Sequence, residues 1–258
     1  MKFSLYSLFL IAGVVSGQDQ RIINGQESVP FSHPFVVSLQ RSGSHFCGGS
    51  ILDRNTIITA AHCSQTTPSS VTVNVHRHDL RKTAASENGA SLLVKSINSH
   101  PQYSSNTLTY DVSVWKLAAP IPSNIQVEFV TLDSSNIGQT VGLQTIGVGW
   151  GRTNPNTNTL SPVLREAILP VYSHDPCNTA YGNFLKKEHH ICAGYKEGLK
   201  SACNGDSGSP LFVKQGGNIQ VGIASFVSGS QCLAPEAPTV YSRVNTYISF
   251  IRQIQSKP

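Results

Sequence analysis

Short apolar runs separated by turn-forming residues recur along this chain, and that rhythm restricts the fold more than any other feature. "PFVVSLQ", "TIITAAH", "VTVNVH", "DVSVWKL", "PLFVKQ" and "IQVGIASF" are rich in Val, Ile and Thr and are short enough to be strands. Twenty-one glycines and 14 prolines supply the turns between them. The pattern predicts an all-β architecture, barrel or sandwich. A length of 258 residues allows one large domain or two small ones with a well-buried core. The stretch "SNIQVEFVTLDSSNIGQ" reads as a segment crossing between two halves, and "RTNPNTNTLSP" as an exposed loop. Only the C-terminus has helical spacing. Asn245 is placed to cap a helix over about 245–256, which carries Tyr247, Phe250, Ile251 and Ile254 on one face.

The first residues, "MKFSLYSLFLIAGVVSG", place Lys2 before an apolar run that ends in small residues. That is the layout of a secretory signal over 1–17, and the run is too short for a comfortable membrane span. The chain is therefore expected to be secreted and extracellular, with no membrane partner. Charged residues make up 13% and the net charge is +5, with the basic residues scattered, so no nucleic-acid partner is expected. Six cysteines in a secreted chain point to disulfides, and no Cys-x-x-Cys pair suggests a metal instead. Six cysteines allow 15 pairings, which the spacing alone leaves open.

Chemistry gathers in three stretches, "TAAHC", "YDVSVWKL" and "CNGDSGSP", which bring His62, Asp111 and Ser207 in that order. A serine hydroxyl is a poor nucleophile near neutral pH. It needs a base within hydrogen-bond reach, and the base needs an orienting carboxylate. The sequence resembles the trypsin-like serine proteases of the chymotrypsin family over nearly all the chain after residue 21. "RIINGQES", "HFCGGSIL", "TAAHC", "HPQY", "GWG", "ICAG", "GDSGSP" and "YSRV" carry the resemblance, in the family's order.

The resemblance implies two packed six-stranded antiparallel β-barrels with a C-terminal helix and an active-site cleft between the barrels. The protease domain would cover 22–258, with barrels over about 22–130 and 131–244. It implies a catalytic triad of His62, Asp111 and Ser207, with the backbone N–H groups of Gly205 and Ser207 as the oxyanion hole. It also implies a zymogen with a propeptide at 18–21. Cleavage after Arg21 would free the Ile22 ammonium to pair with Asp206. The implied disulfides are Cys47–Cys63, Cys177–Cys192 and Cys203–Cys232. Thr145 and Val213 occupy the positions of a further family bridge. In the specificity pocket, neutral Ser201 would form the floor, Val227 and Thr239 the narrowing walls, and Ser225 and Phe226 the strand that pairs with substrate. Leu108 would line the neighbouring subsite, and Tyr181 would pack near the pocket base. This pocket resembles that of pancreatic elastases, so small to medium aliphatic P1 residues are expected.

His76 and His78 alternate on a strand but are too few for a metal site. Arg77 stands where family members that bind calcium carry a glutamate, so neither metal nor cofactor is expected. The expected partners are protein substrates, a trypsin-like activating protease and serine protease inhibitors, and the expected state is a monomer. The competing reading is a catalytically inactive homologue that acts as a binding protein, but the intact nucleophile, base and carboxylate speak against it. A lipase or esterase would present Ser…Asp…His, the reverse order. Ser209, where the family has mostly glycine, is expected to be a bystander whose cost depends on the sign of its φ.

Overall fold

The computed structural model describes residues 23–229 and 232–257, so the expected signal segment and propeptide, with Arg21 and Ile22, lie outside the described residues. The apolar runs become strands because alternate side chains fall on one face. In "VTVNV", for example, Val71, Val73 and Val75 are all buried. The first seven strands are β1 (Gln26–Glu27), β2 (Val36–Arg41), β3 (Ser44–Asp53), β4 (Thr56–Thr59), β5 (Val71–Val75), β6 (Ala90–Ser99) and β7 (Ser113–Leu117). After them come β8 (Val130–Leu132), β9 (Gln144–Gly149), β10 (Arg165–Tyr172), helix α1 (His174–Ala180) and β11 (His190–Ala193). The chain closes with β12 (Pro210–Lys214), β13 (Asn218–Phe226), β14 (Thr239–Arg243) and helix α2 (Val244–Gln255).

Two closed antiparallel barrels result. The first runs β2-β3-β4-β7-β6-β5. The second runs β9-β10-β11-β14-β13-β12 and closes because β12 and β10 both pair with β9. One amendment to the expected division at residue 130 is needed. The early strand β1 pairs with β10 and so joins the second barrel, to which β8 also adds, parallel to β13.

Two expectations about helices are corrected. A second helix, α1, exists because Pro176 falls in its first turn, where a missing N–H costs nothing, and the Cys177–Cys192 disulfide pins it to β11. Helix α2 starts at Val244, one residue early, and Asn245 is not its cap. The Asn245 Nδ2 instead donates to the Asp133 carbonyl at 2.8 Å, tying the helix to the inter-barrel segment. Tyr247, Ile251 and Ile254 are buried as the spacing predicts, while Phe250 is only half-buried.

The core of the first barrel continues through Trp150, Phe212 and Ile223 into the face of α2, so the seam between barrels is packed rather than hinged. Phe35 meets Phe212 edge-to-face across that seam at 4.9 Å, and Ser50 Oγ donates to Gln220 Oε1 at 2.7 Å. Thr145 and Val213 are both buried within strands of the second barrel. A cleft between two barrels locked in this way can hold groups from both at fixed separation.

Candidate active site

Strand pairing brings the base and the carboxylate together. Thr59 of β4 lies opposite Ser113 of β7, so His62, just beyond β4, and Asp111, just before β7, emerge at the same end. Asp111 is fully buried. Its Oδ1 accepts the His62 backbone N–H at 2.9 Å, and its Oδ2 lies 2.8 Å from His62 Nδ1. A carboxylate oxygen there calls for the proton on Nδ1, which in the neutral ring makes Nε2 the acceptor, 3.7 Å from Cys63 Sγ on a ring 27% exposed to solvent. Ser225 Oγ donates to the same Oδ2 at 2.5 Å. Sequence reasoning gave Ser225 a place on the substrate strand only. The contact joins residues 114 apart, and no local signal announces it. The Cys47–Cys63 disulfide fixes the chain next to His62.

Ser207 sits on a tight loop of the second barrel. Gly208 has φ +79°, and a Cβ on it would fall 2.2 Å from Thr59 Oγ1 and 2.6 Å from the Gly48 carbonyl. Only glycine lets the nucleophile loop come this close to the first barrel. The Ser207 carbonyl accepts from Gly48 N–H at 2.8 Å, a further clasp across the cleft. No hydrogen bond joins Ser207 Oγ to His62 among the described residues. Bonds of this kind commonly tighten only when substrate arrives.

The Gly205 amide is aimed by its neighbours. The Asn204 carbonyl accepts from Arg152 N–H at 2.8 Å, so the Gly205 N–H of the same trans peptide points the opposite way. The Gly205 carbonyl is held by His45 Nε2 at 2.9 Å, and His45 Nδ1 in turn meets Ser38 Oγ at 2.8 Å. Burial pushes His45 down to about 4, so the ring is neutral, with its proton on Nε2 facing the carbonyl. This support for Gly205 went unread in the sequence, where His45 was only part of "HFCGGSIL".

Asp206 is buried beside the cleft. Its carboxylate accepts from Gly151 N–H at 2.7 Å and Cys203 N–H at 2.9 Å, and no basic side chain faces it among the described residues. Burial pushes its carboxyl up to about 6. Ser209 does not take a positive φ, so it carries no left-handed strain, but its buried Oγ has no partner among the described residues.

A pocket of about 190 Å³ opens beside Ser207, lined among others by Phe226, Val227, Gly229 and Thr239. The Cys203–Cys232 disulfide borders it. Ser201, expected as the floor, is buried and is not among the residues lining this pocket; its hydroxyl is bonded at 2.8 Å to that of Thr239, which is. Thr239 Oγ1 also receives the Ala202 N–H at 3.1 Å, which fixes its methyl. Tyr181 braces the pocket from behind, donating to the Pro238 carbonyl at 2.9 Å and meeting Phe226 edge-to-face at 5.6 Å. Leu108 is half-buried with φ +50°, in the turn that leads into Asp111. A larger groove of about 710 Å³, lined by Glu27, Arg81, Glu166 and Lys200, contains none of His62, Asp111 or Ser207.

His76 and His78 do not converge. His76 stacks on Phe31 and bonds the Glu87 carbonyl, whereas His78 meets Glu27 at 2.9 Å. Between them Arg77 is turned inward. Its Nε donates to Glu87 Oε2 at 2.7 Å, and its Nη2 to the carbonyls of Asp79 at 3.0 Å and Lys82 at 2.6 Å. The guanidinium thus occupies oxygens that a hard cation would need.

Comparison with known proteins agrees with this geometry. The family model described as Trypsin matches residues 22–251. The chain is 35% identical to Trypsin-1 of Salmo salar over 243 residues, 93% of each chain.

Proposed function

The chain belongs to the trypsin family of serine endopeptidases, and from that premise we propose that Ser207, His62 and Asp111 carry out the hydrolysis. His62 Nε2 takes the Ser207 hydroxyl proton as Oγ attacks the scissile carbonyl. The same proton passes to the leaving amine as the acyl-enzyme forms, and water then repeats the sequence to release the acid. Asp111 keeps the His62 proton on Nδ1 and stabilises the imidazolium. The N–H groups of Gly205 and Ser207 hold the oxyanion, one such donor being worth on the order of 3 kcal/mol. The observation that carries this reading is the 2.8 Å pairing of His62 Nδ1 with Asp111 Oδ2, the arrangement in which the neutral ring has Nε2 as its acceptor.

The pocket supports small to medium aliphatic P1 residues. Its walls at Val227 and Thr239 are branched, and among its lining residues only Asp206 is charged, with its carboxylate engaged by backbone amides. Arg or Lys at P1 would find no partner, and a buried unpaired charge is costly. Peptide nitroanilides with Ala, Leu, Phe or Arg at P1 test this. The highest kcat/KM is expected for Ala or Leu, and dominant Arg cleavage would refute it. It follows that the enzyme does not cut itself after Arg21. Activation falls to a separate trypsin-like protease, which frees Ile22 to pair with Asp206. Three disulfides suit an oxidising, extracellular setting. Among the described residues no helix is long and apolar enough to cross a membrane. The enzyme acts as a monomer on proteins and takes serine protease inhibitors in the same cleft.

A further inference from the structure

The turn that delivers Asp111 is strained, and groups of the second barrel and α2 hold it. Leu108 and Tyr110 both have left-handed backbones, φ +50° and +57°. For residues with a Cβ this conformation is unfavourable and persists only where the surroundings impose it. Four side chains do so. The Tyr110 N–H donates to Tyr247 Oη of α2 at 3.1 Å. The Tyr110 ring lies between His100 at 4.6 Å and His189 at 4.4 Å. The Leu108 carbonyl meets His190 Nε2 at 3.2 Å.

The hydrogen bonds have a direction. Tyr247 Oη accepts from Tyr110 and keeps its own proton free to donate to His189 Nδ1, 3.0 Å away, in the tautomer where that nitrogen is the acceptor. His190 Nδ1 accepts the Lys186 N–H at 3.0 Å, so its Nε2 carries the proton given to Leu108. Burial lowers the proton affinity of both rings, although Glu188 opposes this at His189, and so favours the neutral forms these bonds require.

We propose that Tyr247, oriented by His189, is a positioning residue for the reaction: it holds the left-handed Tyr110 turn that aims the Asp111 carboxylate at His62. The inference rests on the reading of Asp111 given above. Without the Tyr247 hydroxyl, Tyr110 relaxes toward an ordinary φ and the Asp111 carboxylate swings relative to His62. Neither Tyr247 nor His189 lines the pocket beside Ser207, so with a single-residue Ala or Leu nitroanilide, which does not reach the subsite expected at Leu108, the cost falls on chemistry.

The test uses the activated enzyme and an Ala or Leu nitroanilide. For Tyr247→Phe, kcat is expected to fall about fivefold with KM within about twofold, and fluorophosphonate labelling to slow by the same factor. His189→Leu should match it, and the double variant should lose no more than either single. His189→Asn, whose Oδ1 replaces the Nδ1 acceptor, should recover most of the rate. Unchanged kcat in Tyr247→Phe would overturn the proposal, as would equal damage from His189→Asn and His189→Leu. If Tyr247→Phe does not fold, the two His189 variants decide. Ser207→Ala separates the two readings. Turnover retained there means the reaction assignment is wrong, whereas a dead Ser207→Ala beside a fully active Tyr247→Phe means that only the positioning role fails.

Discussion

Glu87 and Asp206 are both buried carboxylates, but Glu87 is met from inside its own loop by the Arg77 guanidinium, whereas Asp206 meets only backbone amides among the described residues. A buried negative charge is tolerated when paired and expensive when not. The first region is complete as it stands. The second is short of one positive charge, and the charge proposed for it is the Ile22 ammonium freed by cleavage after Arg21. If that proposal holds, the contrast separates a structural ion pair, which needs no outside event, from a functional one that waits for proteolysis.

The largest effect bears on the second region. An Arg21→Gln precursor, treated with a trypsin-like protease, should stay uncleaved and at least about a hundredfold less active than the treated parent, as expected when an oxyanion donor is misplaced. Full activity would show that Asp206 needs no new partner. In the first region, Arg77→Met strands the buried Glu87 carboxylate. It should cost about 3–5 kcal/mol in denaturant unfolding. Chelator should leave the melting temperature of the unaltered protein unchanged, since Arg77 already fills the acceptors of the loop. A large fall in chelator would mean that a metal binds there after all.

The comparison sharpens with pH. The Asp206 carboxyl is raised from 3.8 to about 6, so the folded precursor binds this proton more tightly than the unfolded chain. Its contribution to stability is fully present below the unfolded value and is lost as pH rises through about 6, on the order of 3 kcal/mol in all. In a Ser207→Ala background, the uncleaved chain should therefore lose stability between about pH 4 and 7 relative to the cleaved one, in which the ammonium compensates the charge. Parallel melting curves for the two forms would remove the argument. The smallest effect is at Ser209. Ser209→Ala removes a buried hydroxyl that has no partner among the described residues, so the melting point should rise by a few degrees, about 1 kcal/mol, with turnover unchanged. A large loss of activity would give the second serine a role.

Much of this was legible in the chain itself, because strands and turns are written locally. The alternation of "VTVNV" and the glycines of "GDSGSP" carry their structural meaning within a few residues, and the motifs around His62, Asp111 and Ser207 carry the family. What escaped is contact between distant elements. Ser225 reaching Asp111 and His45 holding the Gly205 carbonyl depend on packing that no window of sequence displays. Asn245 shows the opposite failure. It had the chemistry of a cap, but tertiary structure offered its amide the Asp133 carbonyl instead. The bond between the Ser201 and Thr239 hydroxyls joins residues 38 apart, which spacing in the chain does not convey.

Covalent labelling tests the central assignment most directly. The chain cleaved after Arg21 would be treated with a fluorophosphonate, digested and mapped by mass spectrometry, beside the uncleaved chain and the Ser207→Ala variant. One adduct is expected, on Ser207 of the cleaved form, with neither control labelled at a comparable rate. An adduct on Ser209, or labelling that survives Ser207→Ala, would contradict the account.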